Sequence, residues 1–509
     1  MSWRRLDLLT LFAWAVLTLT VIDGVVRTNE DMSLLLTIGG RLVDGGQFYV
    51  DYLETNPPWI HLLMMVPMGI AALTGAPPHT TYHLLVALLL GASILATRAV
   101  LRDAEASEDT VGLVGIAVLT HGAIAANAQL WGQKEHLVFL SSLPWFVALA
   151  TSDGRPRARG SASTLGMVAV GVVAAIGVQI KIHYVLLGLL FAGGLVATRR
   201  RPSLLWSPAF LGYALGGIGY PMLLLGMSEA SQTALREIYF PIVAPGYATY
   251  DNPMWAILLF STPPFLAYVA AALAAVRFGE LPRLARPMVA YVALGVVVFL
   301  VQRKGFPYHR IPLLGGAAIL AALGVAGAAR KRGEALTHAA AMFGLALVLG
   351  VGTYRHVVGP EPDPVFDLVE EHIPQGSTLL FIDTTVPGIF PGAVERDYPL
   401  ANHFLPAFPI IYAYAREPLQ ADGTRAYHTL DEAPVAERML FESLADDLAT
   451  HDVAAVVVRT SFVCWTCEGS FDALELLAHN GFLGGPMADF VEVGVADEHT
   501  VFVHRRYAP

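Results

Sequence analysis

Long runs of apolar residues recur through the first 352 residues of this chain and constrain its fold more than any other feature. A helix of about 20 apolar residues crosses the roughly 30 Å hydrocarbon core of a bilayer. Runs that approach this length lie at 6–26, 59–74, 80–97, 111–128, 136–150, 165–180, 184–198, 207–227, 255–276, 288–301, 311–329 and 336–352. The pattern predicts a polytopic α-helical membrane protein.

Composition and charge distribution agree with this class and divide the chain. Of 509 residues, 55% are hydrophobic and only 15% are charged, whereas soluble domains carry about 25% charge. These values exclude a disordered chain, a nucleic-acid-binding protein and a disulfide-rich secreted scaffold. Residues 1–352 contain 24 Lys and Arg against 18 Asp and Glu, a net charge of +6, and residues 353–509 contain 8 against 24, a net charge of −16. We therefore expect a transmembrane domain over 1–352 and a soluble α/β domain over 353–509.

The basic residues predict the orientation, because they accumulate in cytoplasmic loops. Sixteen of the 24 in residues 1–352 occupy alternate loops, at Arg4/Arg5, Arg98/Arg102, Arg155/Arg157/Arg159, Arg199/Arg200/Arg201, Arg277/Arg283/Arg286 and Arg330/Lys331/Arg332. This places the N-terminus in the cytoplasm and 353–509 in the periplasm of a bacterial inner membrane. One run should then not cross, and 59–74, which contains Pro67, is predicted as a short re-entrant or interfacial helix. The sequence thus predicts about 11 membrane spans, and 12 or 13 spans are the alternatives. In the 12-span layout, 59–74 crosses the membrane and the C-terminal region lies in the cytoplasm.

The acidic C-terminal region has alternating strand and helix patterns. Strands are predicted at 378–383, 454–459 and 500–504, and helices at 363–372, 433–450 and 471–480, the last with Ser470 as N-cap and Gly481 as terminator. Cys464 and Cys467 are the chain's two cysteines. A disulfide is the favoured interpretation in an oxidising compartment, because zinc would need two further ligands and a thioredoxin-like site would need a preceding βαβ unit.

Lysine is scarce, and three of the four lysines lie at predicted outer helix ends, against the orientation rule. A single lysine there is most simply an anchor whose ammonium reaches the interface. Three such clusters on one face instead favour a cationic site for an anion, and a lipid phosphate fits that depth. The predicted phosphate-binding residues are Lys134, His136, Lys181, Arg303, Lys304, His309 and Arg310.

The first outer loop carries the acidic counterpart. Glu30 and Asp31 precede apolar residues at helical spacing, which predict an amphipathic helix lying on the membrane. Gly45-Gly46 ends it, and Asp51 and Glu54 follow. These carboxylates either keep a solvated loop soluble or supply a general base and a metal ligand. Further along, the proline- and aromatic-rich segment 239–252 predicts a mobile outer loop or an interfacial aromatic belt.

The same residues resemble the first outer loop of the membrane-embedded C-type glycosyltransferases, a superfamily that includes aminoarabinose, O-mannosyl and bacterial core-sugar transferases. The resemblance lies in Asp31, the interfacial helix, residues 46–51, and Glu54 followed by Pro57-Pro58, and it covers roughly residues 1–200. It implies that Asp31, with Glu30 as the alternative, is the catalytic base. It also implies that Glu54, with Asp51, binds metal or substrate, and that Lys181 matches the family's lysine at this place. Glu135 stands where relatives often carry Asp-Pro.

The resemblance implies an enzyme that transfers a hexosyl or pentosyl group from a polyprenyl-phosphate-linked sugar to a glycan, lipid or protein acceptor on the periplasmic face. A divalent metal cation is the expected cofactor; without a Walker motif, a nucleotide cofactor is not expected. Membrane lipids are the other expected partners, and nucleic acid is not expected. The alternative from a different class is a non-catalytic transporter or a scaffold that binds anionic lipid. A transporter should show related halves and ionisable residues at mid-membrane depth, which this sequence lacks.

Overall fold

The computed structural model describes residues 3–22, 28–125, 131–152, 164–248, 251–278, 282–333, 335–358, 363–415, 417, 419–420, 425–463 and 471–508. The chain folds into two compact units. The first comprises Met1–Asn29, Thr80–Leu225 and Asn252–Pro360, and the second comprises Glu30–His79, Gly226–Asp251 and Glu361–Pro509. The predicted division into 1–352 and 353–509 follows membrane location rather than compactness and stays a prediction.

The α-helices, in chain order, are α1 Trp3–Ile22, α2 Glu30–Val43, α3 Pro58–Thr74, α4 Pro78–Asp103, α5 Glu108–Ala125, α6 Lys134–Thr151, α7 Thr164–Val178, α8 Ile182–Arg199, α9 Pro208–Gly217, α10 Gly219–Gly226, α11 Glu229–Ala234, α12 Ala244–Ala248, α13 Met254–Phe278, α14 Pro282–Val301, α15 Ile311–Arg332, α16 Ala335–Val358, α17 Pro364–Glu370, α18 Gly392–Glu395, α19 Phe408–Tyr414, α20 Val435–Thr450 and α21 Ala473–His479. A π-helix spans Leu235–Val243, and 3₁₀-helices span Pro202–Trp206, Pro307–Arg310 and Arg505–Tyr507. The strands are β1 Thr378–Ile382, β2 Val453–Arg459, β3 Phe490–Ala496 and β4 His499–His504.

Within the described residues, each apolar run predicted from the sequence overlaps a helix or a helix pair. Within the described residues, five helical segments are long and apolar enough to cross a membrane, namely Pro78–Asp103, Ile182–Arg199, Pro208–Gly226, Arg283–Val301 and Pro307–Arg330. The chain is therefore a mostly helical protein with membrane-spanning segments. The number of 11 spans stays a prediction.

Aromatic and small side chains pack the first unit. Trp145 stacks on Tyr213 with ring centroids 4.2 Å apart, and its indole N–H donates to the main-chain oxygen of Ala209 at 3.0 Å. A Cβ at Gly171 or Gly212 would lie 2.1 Å from a main-chain oxygen of the facing helix. Helices α7 and α9 therefore approach each other at backbone distance, as small residues allow in membrane proteins.

In the second unit, α2 packs on α3, and the C-terminal segment forms a four-stranded sheet of order β1-β2-β4-β3. Strands β1 and β2 are parallel, and the other pairs are antiparallel. The three predicted strands are present, whereas β3, at the edge of the sheet, was not predicted. The helices predicted at 363–372, 433–450 and 471–480 correspond to α17, α20 and α21. The N-cap of α21 is Asp472, whose side chain accepts from the Glu475 N–H, rather than Ser470, which lies outside the described residues.

Candidate functional site

Three segments that are distant in sequence meet at Lys181. This residue directly precedes α8, and its Nζ lies 2.5 Å from Glu135 Oε1 on α6 and 3.1 Å from His309 Nε2. His309 belongs to the 3₁₀-helix that leads into α15. The Glu135 and His309 side chains are fully buried, and that of Lys181 is 12% exposed. We call these three residues the Lys181 cluster.

The Lys181 cluster lies among further cations. Lys134 and Lys304 are buried, and both, like Lys181, are close enough to His309 to act on it electrostatically. Of the other residues predicted to bind phosphate, Arg303 is exposed, Arg310 is half-buried, and the Nδ1 of buried His136 accepts the Gly132 N–H at 3.1 Å. The structure therefore brings Lys134, Lys181, Lys304 and His309 to one place.

Glu135 was not among the predicted binding residues, although it follows Lys134 directly. Its carboxylate partly neutralises the lysines around His309 and orients the Lys181 side chain. The sequence contained one signal for it, because an acid between a lysine and a histidine at a membrane boundary is costly unless it is paired.

Two polar atoms of the Lys181 cluster have no hydrogen-bond partner within the described part of the chain. These are Glu135 Oε2 and His309 Nδ1, and both are buried. His309 Nε2 lies 3.1 Å from Lys181 Nζ and 3.3 Å from Glu135 Oε1. With the closer Lys181 as the donor, the neutral ring carries its proton on Nδ1. The cluster then offers one unused acceptor and one unused N–H donor, and buried polar groups of this kind ordinarily bind water or a ligand.

The segment predicted as the first outer loop belongs to the second unit from Glu30 onward, and it begins with the predicted helix. Glu30 and Asp31 are half-buried in the first turn of α2, where the helix dipole favours negative charge. Leu34, Leu35 and Ile38 are buried. Gly45 has a φ of +96°, a conformation that glycine adopts without strain, and the helix ends before it.

Glu54 is held within its own loop. Its Oε1 accepts from Thr55 Oγ1 and Asn56 Nδ2 at 2.8 and 2.7 Å, and its Oε2 accepts from the Asn56 N–H at 2.6 Å and lies 3.3 Å from His61 Nε2. Asp51 is exposed and accepts the Gln47 N–H at 2.5 Å. In the described segments, no three His, Cys, Asp or Glu side chains are arranged to hold a metal ion. The contacts of Glu54 therefore add no support for a bound metal ion, and its role as a ligand of metal or substrate stays a prediction.

Segments far along the chain fix this loop. Leu53 pairs with Phe404, and its N–H donates to the His403 oxygen at 2.7 Å. The π-helix contributes Tyr239, whose hydroxyl donates to the Thr55 oxygen at 2.7 Å and whose ring lies 4.9 Å from that of Tyr49. The sequence predicts a mobile outer loop or an interfacial aromatic belt over 239–252. Within that segment, residues 239–243 belong to this π-helix and Ala244–Ala248 form α12, and π-helices recur at functional sites.

Two titratable residues lie beside this contact. The His403 N–H donates to Asp447 Oδ2 at 3.0 Å. Burial raises the pKa of Asp447 to about 6, and burial, with the nearby charge of Arg41, lowers the pKa of His403 to about 4.

Cys464 and Cys467, the predicted disulfide, lie outside the described residues.

No protein-family model matches the chain, and no curated protein sequence matches it. Two solved structures are similar along almost the whole length. ArnT from Cupriavidus metallidurans bound to undecaprenyl phosphate has a TM-score of 0.60 at 13% identity, and the same protein in the apo state has 0.59 at 14%; each match covers 99% of this chain and 98% of ArnT. ArnT is a C-type glycosyltransferase. The predicted resemblance to this superfamily is confirmed at the level of the fold.

Proposed function

We propose that this protein is an integral membrane glycosyltransferase that moves a sugar from a polyprenyl-phosphate donor to an acceptor at the outer face of the membrane. The observation that carries the proposal is the Lys181 cluster with the buried Lys134 and Lys304 close to it, in a chain with the ArnT fold. Within the described residues, the cluster holds two buried polar atoms without a hydrogen-bond partner. Fold alone does not imply activity, so the proposal rests on the chemistry of the cluster.

The cluster suits a sugar joined to a phosphate. Lys181, Lys134 and Lys304 would neutralise the phosphate, which leaves as the bond to the sugar breaks. The His309 Nδ1–H would donate to a phosphate oxygen. Glu135 Oε2 repels a phosphate but accepts from a hydroxyl, so it suits a hydroxyl group of the donor sugar.

The base is proposed from the resemblance of the loop sequence. Asp31, with Glu30 as the alternative, would take the proton of the acceptor hydroxyl while its oxygen bonds to the anomeric carbon. The bond from that carbon to the phosphate oxygen breaks, and polyprenyl phosphate is released. Atoms and charges balance in this transfer without a metal ion or a nucleotide.

The test begins with the lipid that co-purifies with the protein, identified by mass spectrometry. The purified protein is then supplied with that lipid and a membrane extract as acceptor, and released polyprenyl phosphate is measured. Asp31→Asn should abolish release while binding of undecaprenyl phosphate is retained. Asp44→Asn, which changes an exposed carboxylate of the same loop, is the control and should behave like the wild type.

Lys181→Ala tests the phosphate site, with Lys331→Ala as the control. It should weaken binding of undecaprenyl phosphate, whereas the control should not. Unchanged release in Asp31→Asn, with loss in Glu30→Gln, would move the base to Glu30. Tight lipid binding without release in the wild type would favour a non-catalytic scaffold and overturn the proposal.

A further inference from the structure

Helices α8 and α14 enclose a groove of about 750 Å³ in the first unit. One face of each helix lines it, since the lining positions recur at intervals of three and four residues. Leu190 and Val297, at one end, are 61% and 55% exposed. Apolar side chains this exposed on membrane helices predict a groove that opens to lipid rather than to water.

The other end of the groove is basic. Arg283 and Arg286 line it from the first turns of α14, and Arg199 lines it from the last turn of α8. Arg199 connects the ends of two other helices. Its guanidinium donates to the main-chain oxygens of Ala150 and Ser152 at the end of α6, and to that of Arg283 at the start of α14. Arg286 is exposed at the groove, so its charge is presented to whatever lies there.

We infer that this groove binds an anionic phospholipid, with one acyl chain between α8 and α14 and the phosphate at Arg283 and Arg286. The inference does not rest on the proposed function. These arginines are among the basic residues that the orientation rule places on the cytoplasmic side. The lipid would therefore come from the cytoplasmic leaflet, whose anionic headgroups attract basic residues.

The dimensions and the charge favour this occupant. From Arg283 to Val297 a helix rises about 21 Å, which exceeds half of the roughly 30 Å hydrocarbon core, so the groove accommodates one acyl chain of a single leaflet. A polyprenyl chain could fill the apolar part, but it has no charged group at this end to match the arginines. A protein partner would have to bury arginines, for which an anionic lipid is the better match.

The absence of a side chain at Gly194 leaves space in the groove for the acyl chain. A Cβ at Gly194, on the groove-facing side of α8, would have no heavy atom within 4 Å, and the same holds for the adjacent Gly193, which does not line the groove. Gly194→Phe should therefore fill the groove without disturbing the helix, and Gly193→Phe is the matched control.

The test is native mass spectrometry of the purified full chain titrated with phosphatidylglycerol or phosphatidylcholine of the same acyl chains. The wild type should bind one phosphatidylglycerol in preference to phosphatidylcholine. Arg286→Gln should weaken phosphatidylglycerol binding about fivefold, the effect of one exposed ion pair. Arg200→Asn, a change that suits the left-handed backbone of this neighbouring residue, should leave it unchanged. Gly194→Phe should lose both lipids, and Gly193→Phe should keep them.

Equal affinity of the wild type for the two phospholipids would overturn the inference, as would the same affinity in Arg286→Gln and Arg200→Asn. Displacement of phosphatidylglycerol by undecaprenyl phosphate, with Arg286→Gln unaffected, would assign the groove to a polyprenyl chain and would equally overturn it. If Gly194→Phe fails to fold, the comparison of the two arginine variants decides.

Discussion

Arg41, in the last turn of α2, donates from its guanidinium to the main-chain oxygen of Asn402 at 2.6 Å. It also reaches the oxygens of Leu400 and Asp51, at 2.7 and 3.0 Å. Leu400 stands beside β1, since the Ala401 N–H donates to the Leu379 oxygen. The planar fork of one arginine thus joins α2, which carries Asp31 in its first turn, to the sheet of the C-terminal segment.

Replacing this arginine should loosen the second unit. Arg41→Lys keeps the charge but cannot supply donors in the fork geometry, so we expect it to lower the free energy of unfolding by about 1–3 kcal/mol, nearly as much as Arg41→Gln. Thermal unfolding of the purified protein measures this. Arg102→Gln removes an exposed pair with Glu108 and should cost less than about 1 kcal/mol. Equal losses of unfolding free energy in the Arg41 and Arg102 variants would show that Arg41 does not hold α2 to the C-terminal segment.

Lys181 and Glu135 should be energetically coupled. Lys181→Ala leaves a buried carboxylate without its main partner and should cost about 3–5 kcal/mol. Adding Glu135→Gln should restore part of that loss, by at least about 1 kcal/mol, because the double variant has no unpaired charge. Thermal unfolding of the four proteins of the cycle measures the coupling. Lys331→Ala with Glu135→Gln is the reference and should be additive, since a helix length separates Lys331 from His309. If the effects of Lys181→Ala and Glu135→Gln on stability were additive, the two side chains would not form an ion pair.

Two adjacent glycines of α2 should respond differently to the same substitution. A Cβ at Gly39 would lie 2.7 Å from the main chain of Met64 on α3, whereas one at Gly40 would meet only the terminal methyl of Met68, at 3.0 Å. Gly39→Ala should therefore destabilise the protein by about 1–3 kcal/mol. Gly40→Ala should be neutral or stabilising by up to about 1 kcal/mol through helix propensity. Chemical unfolding of both variants compares them, and the reverse order would contradict the packing of α2 on α3.

Asp447 and His403 should oppose each other as the pH changes. Burial raises the pKa of Asp447 from 3.8 to about 6, so its contribution is complete below pH 3.8 and is lost as the pH rises through 6. Burial lowers the pKa of His403 from 6.5 to about 4, so its contribution is complete above pH 6.5 and is lost as the pH falls through 4.

Asp447→Asn removes the first contribution and leaves the second. Relative to the wild type, the variant should gain stability as the pH rises from 4 to 6, and melting temperatures across this range measure the difference. Glu442→Gln, which changes an exposed carboxylate of the same helix, is the control, and the gain between pH 4 and 6 should be larger for Asp447→Asn than for this control. Equal changes in the two variants would show that the Asp447 carboxyl is not protonated in this range.

The helices of the first unit could be predicted because membrane spans are long and uniformly apolar, so hydropathy alone marks them. The edge strand β3 could not, since none of its residues is buried and Glu492 and Gly494 interrupt the apolar pattern. The π-helix at 235–243 was also missed, because Pro241 and the neighbouring aromatic residues are typical of a loop. Its backbone is ordered by Tyr239, whose partner at Thr55 is far away in sequence.

For the candidate site, the lysines could be predicted from their scarcity and their position. The pairing of Lys181 with Glu135 and His309 could not, because a sequence does not reveal which outer helix ends meet. Glu54 was predicted to bind metal or substrate from the resemblance of its loop, and its oxygens accept from Thr55 and Asn56 of the loop and lie beside His61 of α3. The contact between Leu53 and Phe404 joins segments some 350 residues apart, and nothing in either segment alone indicates it.

The composition of the second unit determines how chains with this fold could be recombined. Residues Glu361–Pro509 are compact together with Glu30–His79 and Gly226–Asp251, so cutting the gene before residue 361 would separate partners that fold as one body. A chimera that exchanges the C-terminal segment alone would inherit an orphaned Arg41 and an unpaired Leu53. The transplantable module is discontinuous: three stretches of chain have to be grafted together.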